Sequence, residues 1–578
     1  MSASLARRRR AARLAGAAVV GLTPALASSG ARAQYAAGGG VPLGLPPAAV
    51  ILNSPVGGMP NTLGQPGDLR YMPAVPAPSG PGVPPWSIVP SISLQELYNS
   101  NIFQSSSSPR GDFITAVTPS IQVTGATPRV TANLIYAPTF ELYAKTRSAD
   151  AIAQQGIGSA TAELVPDTLF VTARALASVQ PSGGGLGGLS GLGSLGSTSP
   201  IGNSFGPAGS PGAVALNKNN RSQNFGASIT PYVVHRFGDV GTAKAGVTLT
   251  ESYLSTNVTN PIPGTVAVGN QRQQTGGATA QFLGGPDFGR VREFALVDAS
   301  KSTGSGVVNG SHAATATNWI GYAVTRKVMP FGEFGAESIH YNTAPATNIN
   351  DGVWELGVVL TPNPDSQISI GYGHHQGFTA ADINGYYAIT ARSRVSVSYT
   401  TALQTDIQQI ESVLGLTNFD QFGNAVNADT GAPLFLGNGL LSTQNALFRT
   451  QTLSLSSITV LDRDTISFSV QHQNSTPVGS AAGNPAGTAE EATSFNGFWT
   501  HQISDRTTLG VGGGYSLSSF QTASPGTEHF ISATAGASYL LTETLSTVAR
   551  YSFFDRTSNF AGRSFTDNIF LVGLTKRF

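Results

Sequence analysis

The 578-residue chain contains no cysteine, so no disulfide framework holds it, and no apolar run reaches the ~20 residues of a membrane-crossing helix, which excludes a helical membrane protein. Only 11% of its residues are charged, while 69 are Gly. Six of the 32 basic residues are Arg within the first 33 positions; without them 26 bases face 31 acids, and a net charge of −5 argues against a nucleic-acid partner.

At the start of the chain Arg7 to Arg10 and Arg13 precede an apolar stretch from Leu14 to Ala27, with Ala31-Arg32-Ala33 behind it. A basic start, a short apolar run and small residues before a cut define a secretory signal, so residues 1–33 are expected to be removed after Ala33. Residues 34–86 are rich in Pro, Gly and Ala, as in Val75 to Pro85. Such a composition cannot build a packed core and reads as a disordered or polyproline-like periplasmic extension.

From 87 to 578 the apolar period is two, with almost no 3.6-residue period. Val130, Ala132, Leu134, Tyr136, Phe140 and Leu142 face one way, and Thr131, Asn133 and Glu141 the other. Val395, Val397 and Tyr399 oppose Ser396, Ser398 and Thr400 in the same manner, as Ile466, Phe468 and Val470 oppose Ser467, Ser469 and Gln471. One face suits lipid and the other water. Every second connection is tight and rich in turn residues: Phe237–Gly241, Thr361–Asp365, Leu461–Asp464, Ser504–Arg506 and Thr542-Glu543. These are expected on the periplasmic side, and the longer intervening connections, notably Gln180–Ser222 and Thr405–Gln444, outside the cell. The pattern predicts an all-β fold, a closed antiparallel transmembrane barrel of about 22 strands (about 18 to 22) spanning residues 87–578, in the outer membrane of a Gram-negative bacterium. The last strand carries Phe570, Val572, Leu574 and the terminal Phe578 at alternate positions, with Lys576 between them. That arrangement resembles the C-terminal signal read by the barrel assembly machinery, the expected partner besides membrane lipid.

Motifs that would carry chemistry are weak. Gly183 to Gly188 contains GxGxxG without a following helix, and Gly202 to Gly206 matches GxSxG without a strand-to-helix elbow, so both read as loop. His374 and His375 are adjacent, and on a strand they point to opposite faces and cannot chelate one metal together. Glu490-Glu491 reads as a solvated pair and Arg110-Gly111-Asp112 as a turn. No metal site, cofactor or catalytic set is predicted, and the protein is read as a non-enzyme. The charges Arg129, Glu141, Lys145, Arg174, Lys244 and Arg550 are predicted to point into the lumen; they either tune permeation of a polar solute or pair laterally on a hydrated wall. Trp86, Tyr136, Tyr143, Trp319, Trp354, Trp499, Tyr539 and Phe553 are expected in aromatic girdles.

Pro90 to Ile102, Gly111 to Pro119 and Ala162 to Phe170 resemble the opening of exopolysaccharide- and exosortase-associated outer-membrane barrels, within the β-barrel porin group. The resemblance covers about residues 87 to 180. It implies a porin-like barrel tied to exopolysaccharide or capsule production, with polysaccharide as a candidate cargo and no catalytic residues. A structural or partner-binding barrel is the alternative reading. A relative of TonB-dependent receptors would lack its plug, and no Ser/His or Asp/His constellation for an outer-membrane enzyme can be assembled.

Overall fold

The computed structural model describes residues 86–181, 221–256, 269–419, 425–427, 441–484, 487–522 and 525–578. The expected signal peptide, the Pro/Gly-rich extension up to residue 85, and the Gly183–Gly188 and Gly202–Gly206 motifs lie outside these residues.

In chain order the strands are β1 (Trp86–Asn99), β2 (Asp112–Ala126), β3 (Val130–Tyr136), β4 (Thr139–Tyr143), β5 (Ala151–Ala153), β6 (Gly156–Val165), β7 (Leu169–Pro181), β8 (Arg221–Arg236) and β9 (Gly241–Thr256). There follow β10 (Gln271–Gly284), β11 (Val291–Gly304), β12 (His312–Tyr322), β13 (Val328–Tyr341), β14 (Thr347–Leu360), β15 (Gln367–His375), β16 (Phe378–Thr390) and β17 (Ser393–Gln404). Helix α1 (Asp406–Leu416) and the small hairpin β18 (Thr417–Phe419) and β19 (Ala425–Asn427) precede β20 (Ala446–Val460), β21 (Asp464–Ser480), β22 (Ala489–Ser504), β23 (Thr507–Gln521), β24 (Gly526–Thr542), β25 (Leu545–Ser558) and β26 (Phe565–Arg577).

Every pairing is antiparallel, and β1 pairs with both β2 and β26, which closes the sheet. Its 24 segments make 22 barrel strands, because β3/β4 and β5/β6 are each one strand broken in two. Pro138, which has no N–H to give the ladder, sits in the first break. The register is the same on both sides of it: Ile121 opposes Tyr136 and Val117 opposes Phe140. The alternation therefore survives the interruption, whereas a one-residue slip would have turned every later side chain to the other face.

The two faces differ as period two demands. On β9 Leu249 is 59% exposed while Ser252 is fully buried, and Thr248 and Thr250 share its side. Outward rows are apolar, such as Phe570, Val572 and Leu574 on β26, and each such side chain moved from water to lipid is worth about 1.5–3 kcal/mol. One rim is made of tight turns, including 127–129, 391–392, 505–506 and 543–544, and carries Phe578, whose N–H donates to the Pro90 carbonyl at 3.0 Å. The other rim carries most of the long connections. It also holds an unexpectedly tight one, Gln376-Gly377, which joins β15 to β16 with φ of 54° and 75° at its two positions, the geometry of a two-residue hairpin turn.

Candidate functional site

The site is built by the connection between β17 and β20, expected to be an outer loop and found to fold inward as α1. Its start is a capping box: the Gln408 N–H donates to Thr405 Oγ1 at 3.4 Å, and the Thr405 N–H donates to Gln408 Oε1 at 2.9 Å. Ile407, Ile410 and Leu414 then recur at helical spacing and are buried with Leu176 of β7, Leu254 of β9, Ile339 of β13 and Leu447 of β20. Strands from well-separated parts of the barrel perimeter thus meet on one short helix. Gly226 on β8 lies directly against it: a Cβ there would sit in ordinary contact, 3.4 Å from Leu414 Cδ2 and 3.5 Å from Ile410 Cγ2.

Polar contacts fix the same helix. Glu411 is buried against the lumen face of β9 and β10, where Ser252 Oγ donates to it at 3.2 Å, Gln273 Nε2 at 3.2 Å and Thr275 Oγ1 at 3.3 Å. Burial pushes its carboxyl well above the usual range, with the Ser252 and Thr275 hydroxyls pulling the other way. Asp406 accepts the Gln444 N–H at 2.6 Å; burial lifts its carboxyl to about 7 against this opposing hydrogen bond. Gln444 Nε2 donates onward to Glu490 Oε1 at 2.8 Å, and the Ser442 N–H to Glu490 Oε2 at 2.7 Å. The two ends of the loop are therefore tied to each other and to β22. A carboxylate needs donors when buried, and here the loop supplies them.

The predicted lumen charges divide. Glu141, Arg174, Lys244 and Arg550 lie on inward positions. Glu141 is held by Arg221 Nη1 at 2.9 and 3.0 Å, which anchors the start of β8 to β4. Lys244 Nζ sits 4.1 Å from the centre of the Tyr232 ring. Arg174 keeps Nε and Nη1 buried without a hydrogen-bond partner among the described residues. Arg129 and Lys145 do not line the lumen: Arg129 is exposed in the β2–β3 turn and Lys145 follows the end of β4, because the alternation stops where each strand ends.

The girdle expectation also needs correction. Trp86, Trp354, Trp499 and Tyr539 face outward and exposed. Trp319 is 1% exposed and stacks on Phe331 at 5.2 Å inside the barrel, in an apolar cluster with Phe294, Leu296, Met329 and Val359. Tyr143 is buried inward as well. Glu490 and Glu491 point apart: Glu490 is engaged by the loop, and Glu491 lies 3.9 Å from His472 Nε2. In the Arg110-Gly111-Asp112 run, Asp112 opens β2 and accepts backbone N–H groups of Phe113 and Thr146, at 2.9 and 2.8 Å, so its carboxylate is not displayed to a partner.

A closed antiparallel barrel with an apolar exterior, a polar inner wall and an inward-folded loop helix is the architecture of a porin-like β-barrel. Residues 479–578, from the last two residues of β21 through β26, match the family described as "Putative beta-barrel porin 2". The match falls at the opposite end of the chain from the segment 87–180 that carried the sequence resemblance. No curated protein matches the sequence. Among solved structures, the chain is similar to the siderophore receptor PirA from Acinetobacter baumannii, with 11% identity, 85% of this chain and 80% of that chain covered, and a TM-score of 0.43. It is similar also to the FrpB iron transporter from Neisseria meningitidis (F5-1 variant), with 10% identity, coverage of 85% and 82%, and a TM-score of 0.46. The ferric-catecholate import receptor Fiu from E. coli K12, in its open form, gives 10%, 85%, 82% and 0.46 in the same order.

Proposed function

We propose that the chain is a β-barrel porin of a Gram-negative outer membrane that passes a polar solute through a lumen restricted by α1. The observation that carries this reading is the pairing of an apolar outer wall with an inner wall of Ser, Thr and Gln on which the loop helix is docked. Hydroxyl and carboxamide groups exchange hydrogen bonds with an uncharged polyhydroxyl solute as readily as with water, which favours a sugar-like cargo over a small ion. Together with the resemblance at residues 87–180, this makes an export-associated role in exopolysaccharide or capsule production the finer form of the proposal. Assembly proceeds through the outward row Phe570, Val572, Leu574 and Phe578 on the closing strand. The chemistry is passage without covalent change.

A second reading, a structural barrel that does not conduct, is favoured by one observation: α1 is packed against inward residues from several parts of the wall at once. Planar-bilayer conductance of the refolded protein decides between them, with and without replacement of residues 405–444 by a short Gly/Ser linker. Conductance that is low in the intact barrel and rises severalfold on replacement supports the restricted channel. Silence in both forms overturns it and leaves the structural barrel.

A further inference from the structure

Inward positions on three consecutive strands gather Glu333 of β13, Glu355 of β14 and His375 of β15. Glu333 and Glu355 are direct register partners, and Glu355 opposes Gly373, which leaves His375 diagonal to it on the same face. One ligand atom from each of the three lies within 4.8 Å of the others, and His375 Nε2 is 3.4 Å from Glu355 Oε2. Glu333 is 6% exposed and Glu355 2%. Among the described residues Glu333 Oε2 and Glu355 Oε1 are buried without a hydrogen-bond partner, and His375 Nε2 faces only Glu355 Oε2.

The surroundings are shaped for this group. A Cβ on Gly371 would lie 1.8 Å from Glu355 Oε1, and one on Gly373 would lie 2.7 Å from Glu355 Cβ, so both glycines of β15 make room for that side chain. Trp319 opposes Glu333 across β12 and, stacked on Phe331, puts an apolar floor beneath it. Glu337, the next acid along β13, is already occupied by the Gln376 N–H at 2.5 Å.

Two carboxylates directly opposite on neighbouring strands repel, and buried acceptors without donors are costly. A cation between them answers both. We infer that Glu333, Glu355 and His375 form a binding site for one divalent transition-metal ion of the Zn²⁺ type, with a remaining coordination position turned to the lumen. The imidazole selects against Ca²⁺ and Mg²⁺, which prefer all-oxygen sets. Metal–ligand bonds of about 2.0–2.2 Å require ligand atoms about 3.3–3.6 Å apart, a spacing that the His375–Glu355 pair already has and that Glu333 reaches by side-chain rotation. Such an ion would pin β13, β14 and β15 together below the tight Gln376-Gly377 turn. It would also offer the lumen one Lewis-acid position for a solute oxygen, a feature independent of whether the barrel conducts.

The test is calorimetric titration of the refolded full-length barrel with Zn²⁺, and with Co²⁺ as a visible-absorption probe of the ligand set. Saturable binding of one ion per barrel, with a Co²⁺ spectrum of mixed nitrogen and oxygen ligation, is expected. Glu333→Gln, Glu355→Gln and His375→Gln should each weaken it by at least the about 10- to 100-fold that loss of an outer-shell partner already costs. His374→Gln, on the outward face, should leave it unchanged. Gly371→Ala removes no ligand and should still weaken binding by displacing Glu355. Heat-modifiable mobility in gels reports folding of each variant, and His375→Gln with Gly371→Ala carries the test where a Glu variant fails to fold. Absence of saturable binding to the folded wild type up to millimolar Zn²⁺, or binding that all these variants leave intact, overturns the assignment and makes the trio an ion-pair cluster around a protonated His375.

Discussion

Raising the pH should release α1 from the barrel wall, and Asp406 is one of the buried carboxyls that drive it. Docked, its carboxyl titrates at about 7 because burial disfavours the charged form; undocked in water it returns to the ordinary 3.8. The docked state therefore holds more protons than the undocked one between these values. Its stability is fully present below about pH 4 and is lost progressively as pH climbs through about 7. The gap from 3.8 to about 7 is worth about 4 kcal/mol, a change of about a thousandfold in the ratio of docked to undocked helix. Glu411, also raised by burial, acts in the same direction. Of the other charged groups nearby, Glu490 of β22 repels Asp406, while Arg563 in the β25–β26 connection attracts Glu490 and pairs with Glu528. Open probability in planar bilayers, recorded from pH 5 to 8, checks this. The wild type should open as pH rises, and Asp406→Asn should open less at pH 8 than the wild type, because its carboxamide oxygen still accepts the Gln444 N–H and only Glu411 is left to titrate. A wild-type current that is flat over this range, or that grows on acidification, would refute the reasoning.

Other expectations follow from the same contacts. Glu141→Gln leaves the Arg221 guanidinium buried without its counter-charge and should cost about 3–5 kcal/mol in urea unfolding, most of it recovered in the Glu141→Gln/Arg221→Gln double variant. Thr405→Ala removes the helix cap and should weaken α1 docking by about 1 kcal/mol, seen as an open probability about fivefold higher at fixed pH. Trp319→Ala empties a closed apolar site and should destabilise the barrel by about 3–5 kcal/mol in the same urea assay; a loss under about 1 kcal/mol would place the ring outside any packed core. Phe570→Ser combined with Phe578→Ser should cut the folded, heat-modifiable fraction in the membrane severalfold, and unchanged assembly would remove the closing strand as the assembly signal.

The wall was legible because each strand residue meets one of only two environments, lipid or lumen, and period two records which. Val130 to Leu142 can be sorted by eye, and Glu141 lies on the inward face of β4. The same rule misplaced Arg129 and Lys145 when it was carried past the strand ends into turns, where no pleat exists to enforce it. Trp319 lies near a strand end, as a girdle residue would, but on the inward face. On β12 the outward residues Ala316, Asn318 and Ile320 are scarcely more apolar than the inward Thr317, Trp319 and Gly321, so alternation alone could not have decided it. Helix α1 did carry a signal, Thr405 to Gln408 as a capping box followed by Ile407, Ile410 and Leu414, but a short helix is stable only against a wall that the sequence does not display.

Glu333, Glu355 and His375 mark a different limit. Adjacency rightly separated His374 from His375, since successive residues on a strand point to opposite faces. What adjacency cannot supply is the neighbour across the ladder, because that depends on where the 342–346 and 361–366 connections set the register. A shift of one residue in either would send one ligand to the lipid face and leave two like charges, or one acid with the imidazole, on the wall. The observed register brings all three to one patch and puts Gly371 and Gly373 where a larger side chain would displace Glu355. Turn length, more than the identity of any one acid, therefore decides whether this wall can hold an ion.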